Sequence, residues 1–248
     1  FRHSITKMSH LHFTSTNSYK KRVIQMGENP INVFNVGSLV LDNIDKTKLL
    51  TKKQLEDEFN FKFEKKNILV SYHPATLTDD YGIKDLLTLL KFLRKLKDTK
   101  IILTLSNSDI NSKKINNFIK EFELKNSNIA KCVVSMGSIG YLSMLGFVDA
   151  VVGNSSSGII EAPHFKIATI NIGSRQDGRI KSESVINCDG TKISLKRSFQ
   201  KIYNEKFRIS LKTFKNPYYK KGSVKSIMKI LNNYPLKNII HKKFYNIK

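Results

Sequence analysis

Short apolar runs alternate with longer amphipathic stretches through most of the chain, and that alternation leaves few folds open. Asn67-Ile-Leu-Val-Ser-Tyr-His73 is apolar, bounded by lysine on one side and Pro74 on the other. It reads as a buried strand that delivers His73 to a loop. Residues 82–97 then place leucines at helical spacing, which predicts an amphipathic helix. Lys100-Ile-Ile-Leu-Thr-Leu105 is the next strand, with Ser106 to Asp109 as the loop after it. The pattern repeats as helix 112–124, strand 129–134, short helix 138–145, strand 150–152, a helix starting at Ser157 and running to Phe165, and strand 168–172. Strands separated by helices imply an α/β fold whose parallel sheet carries helices on both faces.

The bulk composition is compatible with that fold. A chain of 248 residues with 40% hydrophobic content buries a substantial core, in one large domain or two smaller ones. A polar, lysine-rich stretch at 44–66 is the candidate boundary, giving domains at 1–48 and 49–248. No run approaches the roughly 20 apolar residues of a membrane span. Phe1-Arg-His-Ser-Ile-Thr-Lys7 has neither the apolar core of a signal peptide nor an initiator methionine, which suggests a processed product or a fragment. Cys132 and Cys188 are too few for a disulfide scaffold and read as packed thiols in a reducing, cytoplasmic setting.

Lysine and arginine number 43 against 20 acidic residues, a formal charge of +23. The excess is mostly lysine, dispersed and mixed with asparagine and isoleucine. It lacks zinc-finger spacing, an RNP-like aromatic motif or an arginine-rich tract, so neither nucleic acid nor membrane is expected as a partner. A basic field does favour a small anionic ligand such as a nucleotide.

The stretch from Val151 to Phe165 points the same way. An apolar strand ends at Val152, Gly153-Asn154 turns the chain, and three serines and Gly158 open the next helix. Ligands of open parallel sheets sit beyond the carboxyl ends of strands. A helix start offers unpaired N–H groups and a positive dipole end. Ser155, Ser156 and Ser157 add hydroxyls, and Gly158 lets a backbone come close, which together make a phosphate cradle. Glu161, one turn later, is placed to accept hydrogen bonds from ribose hydroxyls, or is simply a first-turn helix carboxylate.

Several stretches together resemble the hydrolysing UDP-N-acetylglucosamine 2-epimerases. They are Gly153-Asn-Ser-Ser-Ser-Gly-Ile-Ile-Glu-Ala-Pro163, Thr169-Ile-Asn-Ile-Gly-Ser-Arg-Gln-Asp-Gly-Arg179 and Glu183-Ser-Val-Ile186. Arg2 to Phe13, Tyr72-His-Pro-Ala-Thr76, Asn216-Pro-Tyr218 and Lys242-Lys-Phe-Tyr245 extend the likeness over essentially the whole chain. The resemblance implies a GT-B-like pair of Rossmann-type domains, with a complete C-terminal domain and only the last part of the N-terminal one. It further implies a bacterial, cytoplasmic enzyme that self-associates as a dimer or tetramer, needs no metal or cofactor and takes a UDP-sugar.

By position in the motifs, Ser155 and Ser156 would hold the diphosphate, with Ser157 and Gly158 beside them, and Glu161 the ribose. Tyr141 would lie against the uracil, Asn107 would contact the nucleotide, and Arg175 would lie near the diphosphate and sugar. His73 would stand by the reacting sugar. The implied chemistry removes the C2 proton as UDP leaves C1, then hydrates the resulting glycal to the 2-epimeric free sugar of the N-acetylmannosamine type that feeds sialic-acid-type pathways. The family's carboxylates for that step lie largely before Phe1. Phe165-Lys-Ile-Ala168 stands where the family commonly has a glycine and a proline, so Lys166 and Ala168 put the local connection in doubt. A non-catalytic nucleotide-sugar-binding fragment and a GT-B glycosyltransferase are the alternatives.

Overall fold

The computed structural model describes residues 1–106, 111–237, 239 and 241–246. Contacts divide the chain into two units, residues 1–46 with 217–248, and residues 47–216.

The larger unit runs α4 (Lys52–Glu58), β3 (Lys66–Ser71), α5 (Ile83–Leu93), β4 (Thr99–Thr104), α6 (Ser112–Lys125), β5 (Ala130–Val133), α7 (Gly137–Leu145), β6 (Ala150–Gly153), α8 (Ser157–Ile160), β7 (Ala168–Ile172), β8 (Val185–Cys188), α9 (Lys192–Ile202) and α10 (Glu205–Leu211). Its six strands are parallel, in the order β5-β4-β3-β6-β7-β8. The central strands read as unbroken apolar runs because both faces are covered. Ile68, Leu69 and Val70 have no exposed surface, and each contributes about 2 kcal/mol through burial. Leu86, Leu89, Leu90 and Leu93 form the buried stripe of α5, the i, i+3, i+4, i+7 pattern visible in the sequence.

Chain order matters most at the centre of this sheet. From β3 the chain builds outward through β4 to β5, then α7 leads back to β6 on the other side of β3. The β3–β6 junction is therefore the switch point of a doubly wound sheet. There Ser71 pairs with Gly153. A Cβ on Gly153 would lie 2.1 Å from the Ser71 carbonyl oxygen, and its φ of +138° is open essentially to glycine alone.

One local expectation differs from what is observed, and the unusual connection expected at Lys166 is present. The helix expected from Ser157 to Phe165 stops at Ile160. Asn216 Nδ2 takes the Ile160 carbonyl at 2.7 Å, Pro163 has no N–H, and the following bonds tighten to i−3, as in His164 N to Glu161 O. Lys166 adopts a left-handed φ of +58°, at a cost of about 1 kcal/mol for a residue with a Cβ. Its Nζ donates to the Phe214 carbonyl at 2.7 Å.

The smaller unit contains α1 (Arg2–Met8), β1 (His12–Thr14), α2 (Asn17–Gln25), β2 (Val33–Asn35), α3 (Leu39–Ile44) and, from the far end of the chain, α11 (Ser223–Asn233). β1 and β2 pair in parallel. The sequence reading carries the C-terminal helix along with the second domain, whereas its contacts are with residues 1–46. The physical reason is a long-range cap. Asp42, 2% exposed, accepts from the Gly222 N–H at 2.7 Å and the Val224 N–H at 3.3 Å, satisfying donors at the start of α11.

Candidate functional site

At the switch point the turn after β3 and the turn after β6 are bonded to each other. The His73 N–H donates to Asn154 Oδ1 at 2.7 Å, and Asn154 Nδ2 donates to the His73 carbonyl at 2.8 Å. The His73 ring, half-buried, reaches Ser106 Oγ with Nδ1 at 3.2 Å. Ser106 is itself fixed by Asn116, whose side chain accepts from the Ser106 N–H and donates to its carbonyl. The end of β4 thus braces the imidazole. Asn107, the next expected contact, lies outside the described residues.

The serines divide by role. Ser157 Oγ is hydrogen-bonded to the Tyr141 hydroxyl of α7, so the third serine is turned toward the protein. Ser157 also donates its N–H to Ser155 Oγ at 3.4 Å and its hydroxyl to the same oxygen at 3.3 Å. Ser155 and Ser156 remain half-buried at the start of the turn. Gly158 faces inward as well. A Cβ there would lie 2.6 Å from Thr169 Cγ2, and the Gly158 carbonyl accepts from Thr169 Oγ1 at 2.6 Å. Its need for glycine comes from packing on β7. With α8 only four residues long, the aligned peptides behind the turn are few, and hydroxyls and single N–H groups carry the local polarity.

Glu161 follows that single helical turn. Its Oε2 is sealed from solvent and has no hydrogen-bond partner among the described residues. Burial holds the carboxyl above its ordinary range, and its own backbone N–H opposes this only in part. Burial, aided by the Glu161 charge, likewise pushes the Tyr141 phenol up to about 12, against the hydroxyls of Ser157 and Ser71. Tyr141 is therefore a neutral hydroxyl at physiological pH.

The turn after β7 closes the group. Arg175 Nη1 donates to the Asn154 carbonyl at 3.0 Å, and Gln176 Nε2 donates to the same oxygen at 2.7 Å. Arg175 is exposed, whereas Gln176 is 1% exposed. The fold thus brings His73, Ser155, Ser156, Ser157, Gly158, Glu161 and Arg175 onto the carboxyl ends of β3, β6 and β7 and the elements that follow, and Tyr141 joins them from α7, the helix after β5. Sequence reasoning passes over Asn154, Gln176 and Ser106. The first was legible as a polar residue directly after a buried strand. The other two depend on which loops meet.

A separate cavity of about 580 Å³, lined by Val148, Asp149, Lys166, Ile167, Tyr203 and Arg208 among others, opens at the amino ends of β6 and β7. It holds none of these site residues. Among the described residues no cluster of histidine, cysteine, aspartate and glutamate is arranged to hold a metal ion. No helix among them is long and apolar enough to cross a membrane.

Comparison with known proteins follows the same lines. The model of the UDP-N-acetylglucosamine 2-epimerase family matches residues 1–232. A Campylobacter jejuni GDP/UDP-N,N'-diacetylbacillosamine 2-epimerase (hydrolyzing) is 43% identical, over 99% of this chain and 64% of its own length. The Escherichia coli polysialic acid biosynthesis protein P7 is 38% identical, over 99% of this chain and 63% of its own. The chain thus spans less than two thirds of the length of these relatives. Among solved structures, S. aureus MnaA in a co-structure with UDP superposes with a TM-score of 0.74 at 15% identity, covering 98% of this chain and 64% of that one. The Neisseria meningitidis UDP-GlcNAc 2-epimerase bound to UDP-GlcNAc gives 0.66 at 18% identity, covering 92% and 62%. At these identities the likeness concerns the fold, which is α/β with parallel sheets, of the GT-B-like class.

Proposed function

We propose, from the premise that this chain belongs to the UDP-N-acetylglucosamine 2-epimerase family, that residues 47–216 bind the UDP moiety of a sugar nucleotide at the β3–β6 switch point. The observation that carries this reading is the convergence there of the serine turn, Arg175, His73 and a sealed carboxylate with an unused acceptor oxygen. Ser155 and Ser156 bind diphosphate oxygens by hydroxyl and backbone donors, and the Arg175 fork adds charge. Glu161 accepts from the ribose hydroxyls, which supply the donors its Oε2 lacks. Tyr141 presents its ring to the uracil, and Asn107 is a further nucleotide contact.

His73, at the edge of the crevice, exchanges a proton beside the sugar. Imidazole is suited to that near neutral pH. The reaction proposed for the enzyme is hydrolytic 2-epimerisation of UDP-N-acetylglucosamine or a diacetylated analogue. The C2 proton and UDP are eliminated to a glycal, and water then adds to release the epimeric free sugar. The setting proposed is cytoplasmic, with self-association into dimers or tetramers. Membership of the family and the activities of its relatives support this assignment.

Calorimetric titration with UDP tests it. The chain binds UDP saturably, and Ser156→Ala weakens binding about tenfold, the value of a lost charge-assisted hydrogen bond. A folded chain that gives no heat with UDP contradicts the reading.

A further inference from the structure

We infer that Asn154 is a positioning residue that holds the His73 main chain and the Arg175 guanidinium in register with the serine turn. This rests on the nucleotide reading above. Asn154 is 1% exposed and so barely reaches solvent or ligand. All four of its polar groups are nonetheless engaged. Its N–H donates to the Ser71 carbonyl at 3.2 Å. Its side-chain amide closes a two-bond ring with the His73 backbone, at 2.7 and 2.8 Å. Its carbonyl takes Arg175 at 3.0 Å and Gln176 at 2.7 Å. One residue therefore ties together the turns after β3, β6 and β7, and through His73 Nδ1 and Ser106 Oγ the tie extends to the end of β4.

The side-chain chemistry is restrictive. The ring with His73 requires one acceptor and one donor on a planar group at this length. Leucine supplies neither, glutamine is one methylene too long, and an ionised aspartate keeps the acceptor but sets a charge against the His73 carbonyl. A protonated aspartic acid has the same pattern as asparagine, one C=O and one donating O–H. That equivalence provides a test which a general packing role does not mimic.

The experiment compares UDP affinity of the wild-type chain, Asn154→Asp and Asn154→Ala between pH 5 and pH 8, with the His73 backbone amide followed by NMR. Arg175 is the charged side chain that bonds Asn154, and His73 meets Asn154 through its backbone while its imidazole lies against Ser106. Both are common to wild type and variant, so the affinity ratio isolates the introduced carboxyl. At pH 8 both variants bind UDP about tenfold more weakly. As pH falls Asn154→Asp recovers toward wild type while Asn154→Ala does not, and the His73 amide of Asn154→Asp returns toward its wild-type position. A deficit in Asn154→Asp that is the same at both pH values, or affinities within twofold of wild type throughout, overturns the inference.

If wild type itself fails to bind UDP, the nucleotide reading falls. The His73 amide then decides the positioning role alone, and an amide unmoved by Asn154→Asp at pH 8 ends it. If Asn154→Asp does not fold, Gln176→Met carries the test, because it removes only the bond to the Asn154 carbonyl. UDP affinity about threefold lower with a displaced His73 amide supports the role, and neither change overturns it.

Discussion

Two glutamates with carboxyl oxygens sealed from solvent, one in each unit, show how differently the same side chain is used. Glu28 in the smaller unit is 2% exposed and has a cation at each oxygen. Lys7 Nζ lies 2.8 Å from Oε1, and His12 Nε2 and Lys242 Nζ lie 2.8 and 2.7 Å from Oε2. Burial alone would raise its carboxyl, but the bonds from Lys242, Lys7 and His12 overcome that and bring it to about 2. Among the described residues no such cation pairs with Glu161 in the larger unit. Burial dominates, and the carboxyl stays above its ordinary range with Oε2 unused. A buried charge with its partners supplied within the protein is structure. A buried charge without them is an energetic debt that a ligand's donors settle.

The largest effect expected on this contrast is at Glu28. Its carboxyl is depressed from 4.5 to about 2, so it contributes stability that is present above the unfolded value and lost as pH falls through the folded one. That contribution is about 3 kcal/mol at neutral pH. Urea denaturation of Glu28→Gln shows a loss of that order at pH 7, shrinking as pH approaches 2. An undiminished loss at pH 2 removes the ion-pair explanation. Lys242 Nζ also donates to the carbonyls of Thr6, Lys7 and Ser9 at the end of α1, so Lys242→Met exposes α1 amides to hydrogen exchange as well as lowering stability.

Glu161 carries the opposite sign. Its folded value is raised, so the native state holds the proton more tightly than the unfolded chain. Wild-type stability therefore declines as pH rises from the ordinary carboxylate range through the folded value. Glu161→Gln lacks that decline, and parallel urea titrations between pH 4 and pH 8 reveal it. Identical pH profiles in the two proteins mean that Glu161 is not desolvated as described.

Tyr141 gives the smallest effect. Its hydroxyl serves Ser157, an internal partner, so Tyr141→Phe lowers UDP affinity less than about threefold, whereas Ser156→Ala costs about tenfold. Equal losses in the two variants would show that Ser157, too, faces the nucleotide.

Much of this arrangement was readable before any coordinates. The apolar run 67–73 and the strand 150–152 are local patterns, and they place His73 and the serines after parallel strands without further information. The end of α8 was not readable, since Ile160 loses its carbonyl to Asn216, 56 residues away. Nor was the attachment of α11, which depends on Asp42 about 180 residues earlier. The inward turn of Ser157 is set by where Tyr141 lies, and periodicity does not report which of three adjacent hydroxyls a neighbouring helix will take. The hub at Asn154 draws on three loops at once. Its sequence signature is only a small polar residue at a turn, which most turns share.

Thermal unfolding of the wild-type chain and Glu161→Gln at neutral pH, each with and without saturating UDP, tests the central claim most directly. Without UDP the variant melts at or above wild type, because a desolvated carboxyl with an unused oxygen has been replaced by a neutral amide. With UDP wild type gains more, the difference corresponding to about a tenfold gap in affinity. A variant that is less stable alone and gains as much from UDP as wild type would contradict the assignment of Glu161 to the nucleotide.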